Sequence, residues 1–150
     1  MNVCIIGDGL TSLSLAKNLI DKKVNVHIYS ENKNKKLTSG RTIGISKNNL
    51  EFFKKEISQI PKKNFWEIKK IEIYSQKLKD ENLLNFENKK KSLFYMVKND
   101  ELYNLLKKKL FKSKFFKKIQ IQKNFNEKIL IKKNYSLIIN CESNNSITKK

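Results

Sequence analysis

The chain has 150 residues and a net charge of +19, from 33 Lys and Arg against 14 Asp and Glu. That length fits one ordinary domain able to bury about two-thirds of the surface an unfolded chain exposes, and it excludes two large domains. With 39% apolar residues, 18 Ile, nine Phe and five Tyr the chain is too rich in β-branched and aromatic side chains for a disordered tail, and no stretch approaches the roughly 20 apolar residues that span a bilayer.

The first unit reads Asn2-Val3-Cys4-Ile5-Ile6, then Gly7-Asp8-Gly9, then Leu10 to Lys22, then Val24 to Tyr29. A continuous apolar run of four suits a strand buried on both faces, as in a parallel sheet. Starting at Val3, that run leaves no room for a secretory signal, so a cytoplasmic chain is expected. Leu10, Leu13, Ala16 and Ile20 recur at helical spacing, and Lys22-Lys23 suit the helix's negative end. Strand, helix and strand together have the length of a right-handed βαβ crossover.

From Ser30 to Gly44 the chain is polar and predicts a long loop, of a length that tends to be functional. Lys47 to Ile57 predicts a helix with Leu50, Phe53 and Ile57 on one face, ended before Pro61. Ile68 to Tyr74, Leu83 to Phe86 and Leu93 to Val97 predict strands. Asn99 reads as the cap of a third helix, with Asp100 and Glu101 in its first turn and Leu102, Leu105, Leu106 and Leu110 at helical spacing. Three short strands are expected to follow, at Ile119 to Gln122, Lys128 to Lys132 and Ser136 to Asn140. The expected fold class is α/β, Rossmann-like, with a mainly parallel sheet, the βαβ unit at its start and a small antiparallel β portion. No internal repeat or Pro/Gly/Ser linker interrupts the chain, so one domain is expected.

Gly7-Asp8-Gly9-Leu10-Thr11-Ser12 lies between a buried strand and a helix, the context that gives a G-x-G-x-x-G pattern its meaning. Gly7 permits the tight turn, and Gly9 lets a pyrophosphate approach the backbone. The helix N-terminus near Leu10 offers unpaired N–H groups and partial positive charge. The third glycine is replaced by Ser12, small enough for close helix–strand packing; Asp8, Leu10 and Thr11 complete the cofactor-binding loop. The acidic residue that accepts from the adenosine ribose is due at the end of the second strand. There the register falls on Ser30, with Glu31 one position later, and both remain candidates. NAD(P) and FAD share this pattern.

Of the 33 cations 32 are Lys, and Arg41 is the single Arg. Recognition of bases favours Arg, whose planar fork makes two-point contacts that Lys cannot. Lys, Asn and Ile make 69 of the 150 residues, the composition that A/T-rich codons write, so no specific nucleic-acid partner is expected. Lys107-Lys108-Lys109 and Lys117-Lys118 near Phe111, Phe115 and Phe116 support at most weak, salt-sensitive phosphate binding; those Phe residues equally fit a helix end packing into the core. Cys4 and Cys141 are too few and too far apart for a disulfide framework, and His27 alone makes no His-based metal cluster.

Four stretches together resemble the N-terminal part of the FAD-dependent aromatic hydroxylases, most closely the polyprenylphenol hydroxylases of ubiquinone biosynthesis. They are Val3 to Ser12; Gly40-Arg41-Thr42-Ile43-Gly44-Ile45-Ser46, similar to the family's Arg-x-x-x-Leu-Ser segment; Leu93 to Leu106, similar to its strand-then-helix segment; and Leu137 to Ser146. In the last, Cys141, Glu142, Ser143 and Ser146 stand where the family has Ala-Asp-Gly-x-x-Ser. Only Ser146 is identical, Glu142 keeps the carboxylate, and Ser143 replaces the residue best able to adopt positive φ.

The resemblance implies that FAD is bound, that NAD(P)H reduces it, and that oxygen from O2 is transferred to a small phenolic substrate such as a ubiquinone precursor. It implies Gly7, Gly9 and Ser12 at the pyrophosphate, Ser30 or Glu31 at the ribose, and Arg41 near the flavin or pyrophosphate, where its charge suits anionic oxygens. No catalytic acid or base is expected in this portion. Family members are longer and carry a later Gly-Asp-x-x-His type segment, so a chain covering only the FAD-binding portion is expected. The alternative is a short Rossmann-type protein that binds NAD(P) or FAD without hydroxylase activity. A polyprenylated substrate would sit in the bilayer, and a Lys-rich face attracts anionic headgroups, so peripheral contact with the inner face of the membrane is a further expectation.

Overall fold

The computed structural model describes residues 1–31, 40–75, 81–88, 91–122 and 125–142. The chain divides into two compact units, Met1–Ser39 with Leu102–Lys150, and Gly40–Glu101.

The first unit is built on four strands: β1 (Asn2–Ile6), β2 (Asn25–Glu31), β8 (Phe116–Ile121) and β9 (Leu137–Asn140). They form one parallel sheet in the order β8-β2-β1-β9. The central strand β1 is buried along Val3, Cys4, Ile5 and Ile6, as a strand covered on both faces must be. Alternation along the pleat sends Cys4, Ile6 and Tyr29 to one face, where Leu130 and the half-buried Ile119, Ile121, Phe125, Tyr135 and Ile138 pack on them. Val3, Ile5, Val26, Ile28 and Ser30 take the other face. Helix α1 (Leu10–Asp21) packs against β1 and β2 and buries Leu13, Ala16 and Ile20. Lys22 caps it, and Lys23 follows with φ +61. Helix α3 (Asn99–Leu110) carries the chain back into this unit and buries Leu102, Leu106 and Leu110. Beyond it Phe111 is 57% exposed, edge-on to Phe116, so of the three Phe considered for the helix end, this one does not pack inward.

In the second unit, β3 (Thr42–Ile45), β4 (Phe65–Ile68) and β7 (Phe94–Lys98) form an antiparallel sheet in the order β3-β7-β4, accompanied by α2 (Lys47–Glu56). A two-stranded ribbon pairs β5 (Lys70–Ser75) with β6 (Glu81–Glu87). Ser46 caps α2 by accepting the Asn49 N–H at 3.2 Å, and Leu50 is its buried residue.

The elements depart from the sequence expectations at four places. The expected loop from Ser30 to Gly44 contains the end of β2 and most of β3; Gly44 hides a strand that Thr42, Ile43 and Ile45 form by pairing with β7. Its residues 32–39 lie outside the described residues. Lys128 to Lys132 is a 3₁₀ stretch, Glu127–Lys132, not a strand. It has no strand neighbour among the described residues, and the Ile129 N–H to Asn126 O and Lys133 N–H to Leu130 O bonds close tight turns instead. The strand expected to begin at Ile68 is two strands: β4 spans Phe65–Ile68 and ends there, and β5 starts at Lys70. Asn99 opens α3 rather than preceding it, and the Asp100 carboxylate accepts the Glu101 N–H at 2.9 Å. No described helix is long and apolar enough to cross a membrane.

Candidate dinucleotide site

In an open parallel sheet, ligands sit beyond the carboxyl ends of the strands, where successive connections leave in opposite directions. Here that point lies between β1, which leads to β2 on one side, and β9 on the other. The segments leaving these strands, Gly7 to Gly9 and Cys141 to Glu142, meet there.

Gly7 has φ +100 and donates its N–H to Tyr29 O at 2.8 Å. This bond ties the turn to β2 and places it beside Ser30. Gly9 is the N-cap of α1, in extended conformation, and no side chain among the described residues caps the helix. With no cap, the first-turn amides of Leu10, Thr11 and Ser12 are available to an anion, and the helix dipole favours one. A Cβ on Gly9 would meet nothing within 4 Å among the described residues.

Two buried hydroxyls mark the same region. Ser12 Oγ, in the first turn of α1, and Ser30 Oγ, near the end of β2, are both buried and have no hydrogen-bond partner among the described residues. Unpartnered buried polar groups are uncommon and costly. Glu31 closes β2 half-buried. Gly7, Asp8, Gly9, Leu10, Thr11, Ser12 and Ser30 are thus brought together. Arg41 belongs to the second unit, where it is exposed and its carbonyl accepts the Asn99 N–H at 2.9 Å.

Three residues that sequence reasoning did not assign to the nucleotide loop lie around it. Lys118, on β8 opposite Ile28, donates from Nζ to Asp8 Oδ2 at 2.6 Å, with both side chains about three-quarters buried. The Tyr103 hydroxyl of α3 lies near the same carboxylate; burial first, then the Asp8 charge, raises its pKa. Glu142 follows β9. Asn140 fixes it by donating from Nδ2 to Glu142 O and accepting the Glu142 N–H at Oδ1, both at 2.9 Å. Its Cγ then lies over Gly7. The signal for Lys118 was Asp8 itself, a charge inside the glycine turn. Ser143 and Ser146 lie outside the described residues, and no group of three or more His, Cys, Asp or Glu able to hold a metal occurs among the described residues.

No family profile matches the sequence, and no curated protein matches it. Solved structures do match in fold. PqsL of Pseudomonas aeruginosa, solved with 2-aminobenzoylacetate, aligns with TM-score 0.66 at 14% identity over 80% of this chain and 33% of its own. p-Nitrophenol 4-monooxygenase PnpA of Pseudomonas putida DLL-E4 aligns with TM-score 0.63 at 10% identity over 79% and 31%. Klebsiella pneumoniae HpxO, solved with FAD and uric acid, aligns with TM-score 0.59 at 16% identity over 79% and 30%. The chain spans about a third of the length of these proteins. It has the α/β fold of one portion of them, which comprises a parallel four-stranded sheet and small antiparallel sheets.

Proposed function

We propose that this chain is the FAD-binding portion of an NAD(P)H-dependent monooxygenase that hydroxylates an aromatic, ubiquinone-precursor-like ring. The observation that carries the reading is the uncapped N-terminus of α1, reached through a positive-φ Gly7 at the end of the central parallel strand. A diphosphate fits it chemically: it accepts from the Leu10 to Ser12 amides and complements the dipole. Ser12 and Ser30 supply buried hydroxyls in want of partners, the first for phosphate oxygen and the second, with Glu31, for a ribose hydroxyl.

The choice of FAD over NAD(P) draws on HpxO, whose structure holds FAD, and on PqsL, described as a probable FAD-dependent monooxygenase. FAD, when bound, supplies the redox chemistry and the transfer of oxygen; the protein's part is binding, orientation and electrostatics. Arg41 is assigned to the anionic oxygens of the cofactor by the family resemblance. NAD(P)H as reductant and a ubiquinone-type ring as substrate rest on the same resemblance.

The test is reconstitution. The purified chain, incubated with FAD and freed of excess by gel filtration, is expected to keep a flavin absorbance near one equivalent. A colourless protein that instead retains NAD(H) would assign the site to the other dinucleotide.

A further inference from the structure

Asp8 poses a problem for any dinucleotide in this site. It precedes Gly9, the N-cap, by one residue, and a carboxylate there is a natural internal ligand for the empty amides of α1. Turned toward the helix, it would occupy the place of the phosphate and repel it. In the structure it is held elsewhere: Lys118 Nζ donates to Asp8 Oδ2 at 2.6 Å, with both side chains about three-quarters buried. Lys118 comes from β8, 110 positions along the chain, so an element remote in sequence holds this loop carboxylate.

We propose that Lys118 is a positioning residue for the nucleotide diphosphate, which acts by pairing with Asp8 and keeping that carboxylate off the α1 N-terminus. This rests on the dinucleotide reading above. A positioning role differs from direct phosphate contact in one measurable way: it vanishes when Asp8 loses its charge.

The experiment is a double-mutant cycle on the 150-residue chain, titrated with ADP and with FAD at fixed ionic strength, with a thermal midpoint recorded for each variant without ligand. Lys118→Met is expected to weaken ADP binding by about tenfold or more. Asp8→Asn, which removes the charge that competes with the phosphate, is expected to bind ADP more tightly than the parent. Asp8→Asn with Lys118→Met is expected to return to within about threefold of Asp8→Asn alone. Lys118→Arg, which keeps the ion pair, should retain parental affinity even if Lys118→Met folds poorly. Equal losses from Lys118→Met in the parent and in the Asp8→Asn background would overturn the proposal in favour of direct phosphate contact. A change in midpoint with no change in affinity would overturn it in favour of a purely structural ion pair. ADP binding that shows the coupling while FAD does not bind would keep the proposal and defeat the FAD reading. FAD binding without coupling would do the reverse, and failure of the parent to bind either would defeat both.

Discussion

A Cβ at Gly7 would stand 2.5 Å from Glu142 Cγ, closer than side chains pack. The strand that ends at Gly7 and the strand that leads to Glu142 are hydrogen-bonded neighbours, with Ile6 opposite Asn140. Gly7 is therefore required twice, by φ +100 and by the carboxylate side chain above it.

Gly7→Ala is expected to destabilise the fold by about 1–3 kcal/mol from backbone strain alone, with a further loss from the contact. Glu142→Ala separates the two causes. In that background Gly7→Ala should cost only the backbone part, as measured by urea unfolding at constant m-value. An equal cost in both backgrounds would mean that the Glu142 side chain moves aside freely.

The two cysteines should differ sharply in reactivity. Cys4 lies in the buried central strand, and burial pushes its thiol up to about 11, with the Lys133 charge acting weakly the other way. Cys141 is partly exposed at the end of β9. Alkylation near pH 8 followed by mass analysis should modify Cys141 in the folded protein and Cys4 only after denaturant is added. Early modification of Cys4 would contradict the packing of β1.

His27 should make stability depend on pH. Its Nδ1 is 2.8 Å from the Tyr135 hydroxyl, which is 2.9 Å from that of Tyr29, and Lys133 Nζ donates to the Tyr29 hydroxyl at 3.1 Å. Burial first, then the charges of Lys117 and Lys133, lowers the His27 pKa below 6.5. Below that value the unfolded chain binds the proton more readily than the folded one, so stability falls as pH drops from about 6.5 toward the folded value. His27→Phe should give a shallower loss of unfolding free energy between about pH 7 and 5 than the parent. An unchanged slope would place the acid sensitivity elsewhere.

Lys23 follows the Lys22 cap of α1 with φ +61, a conformation that costs a side-chain-bearing residue and that glycine adopts freely. Lys23→Gly should raise stability by about 1 kcal/mol. No gain in the thermal midpoint would mean that the Lys23 side chain contributes a compensating contact.

The β1-α1-β2 unit is legible in the sequence because its signals are local: an apolar run, two glycines, then helical periodicity. The same locality explains α3, where Asp100 and Glu101 precede four leucines. β3 is illegible because Gly44 breaks its pattern, although a Cβ there would stand 3.5 Å from the ring of Phe94 in ordinary contact. The 3₁₀ stretch at Glu127–Lys132 is misread because apolar content alone does not say whether a neighbouring strand exists. For the site, Gly7 to Ser12 and Ser30 follow from spacing, whereas Lys118 could not. It meets Asp8 across 110 positions, through a parallel register that pairs it with Ile28 and that no local pattern encodes.

The most direct test is a side-by-side calorimetric titration of the 150-residue chain with FAD, ADP and NADH. The account predicts one site per chain that binds FAD and ADP, loses both in Gly7→Ala, and prefers FAD to NADH. Binding of none of the three, or binding unaffected by Gly7→Ala, would contradict it.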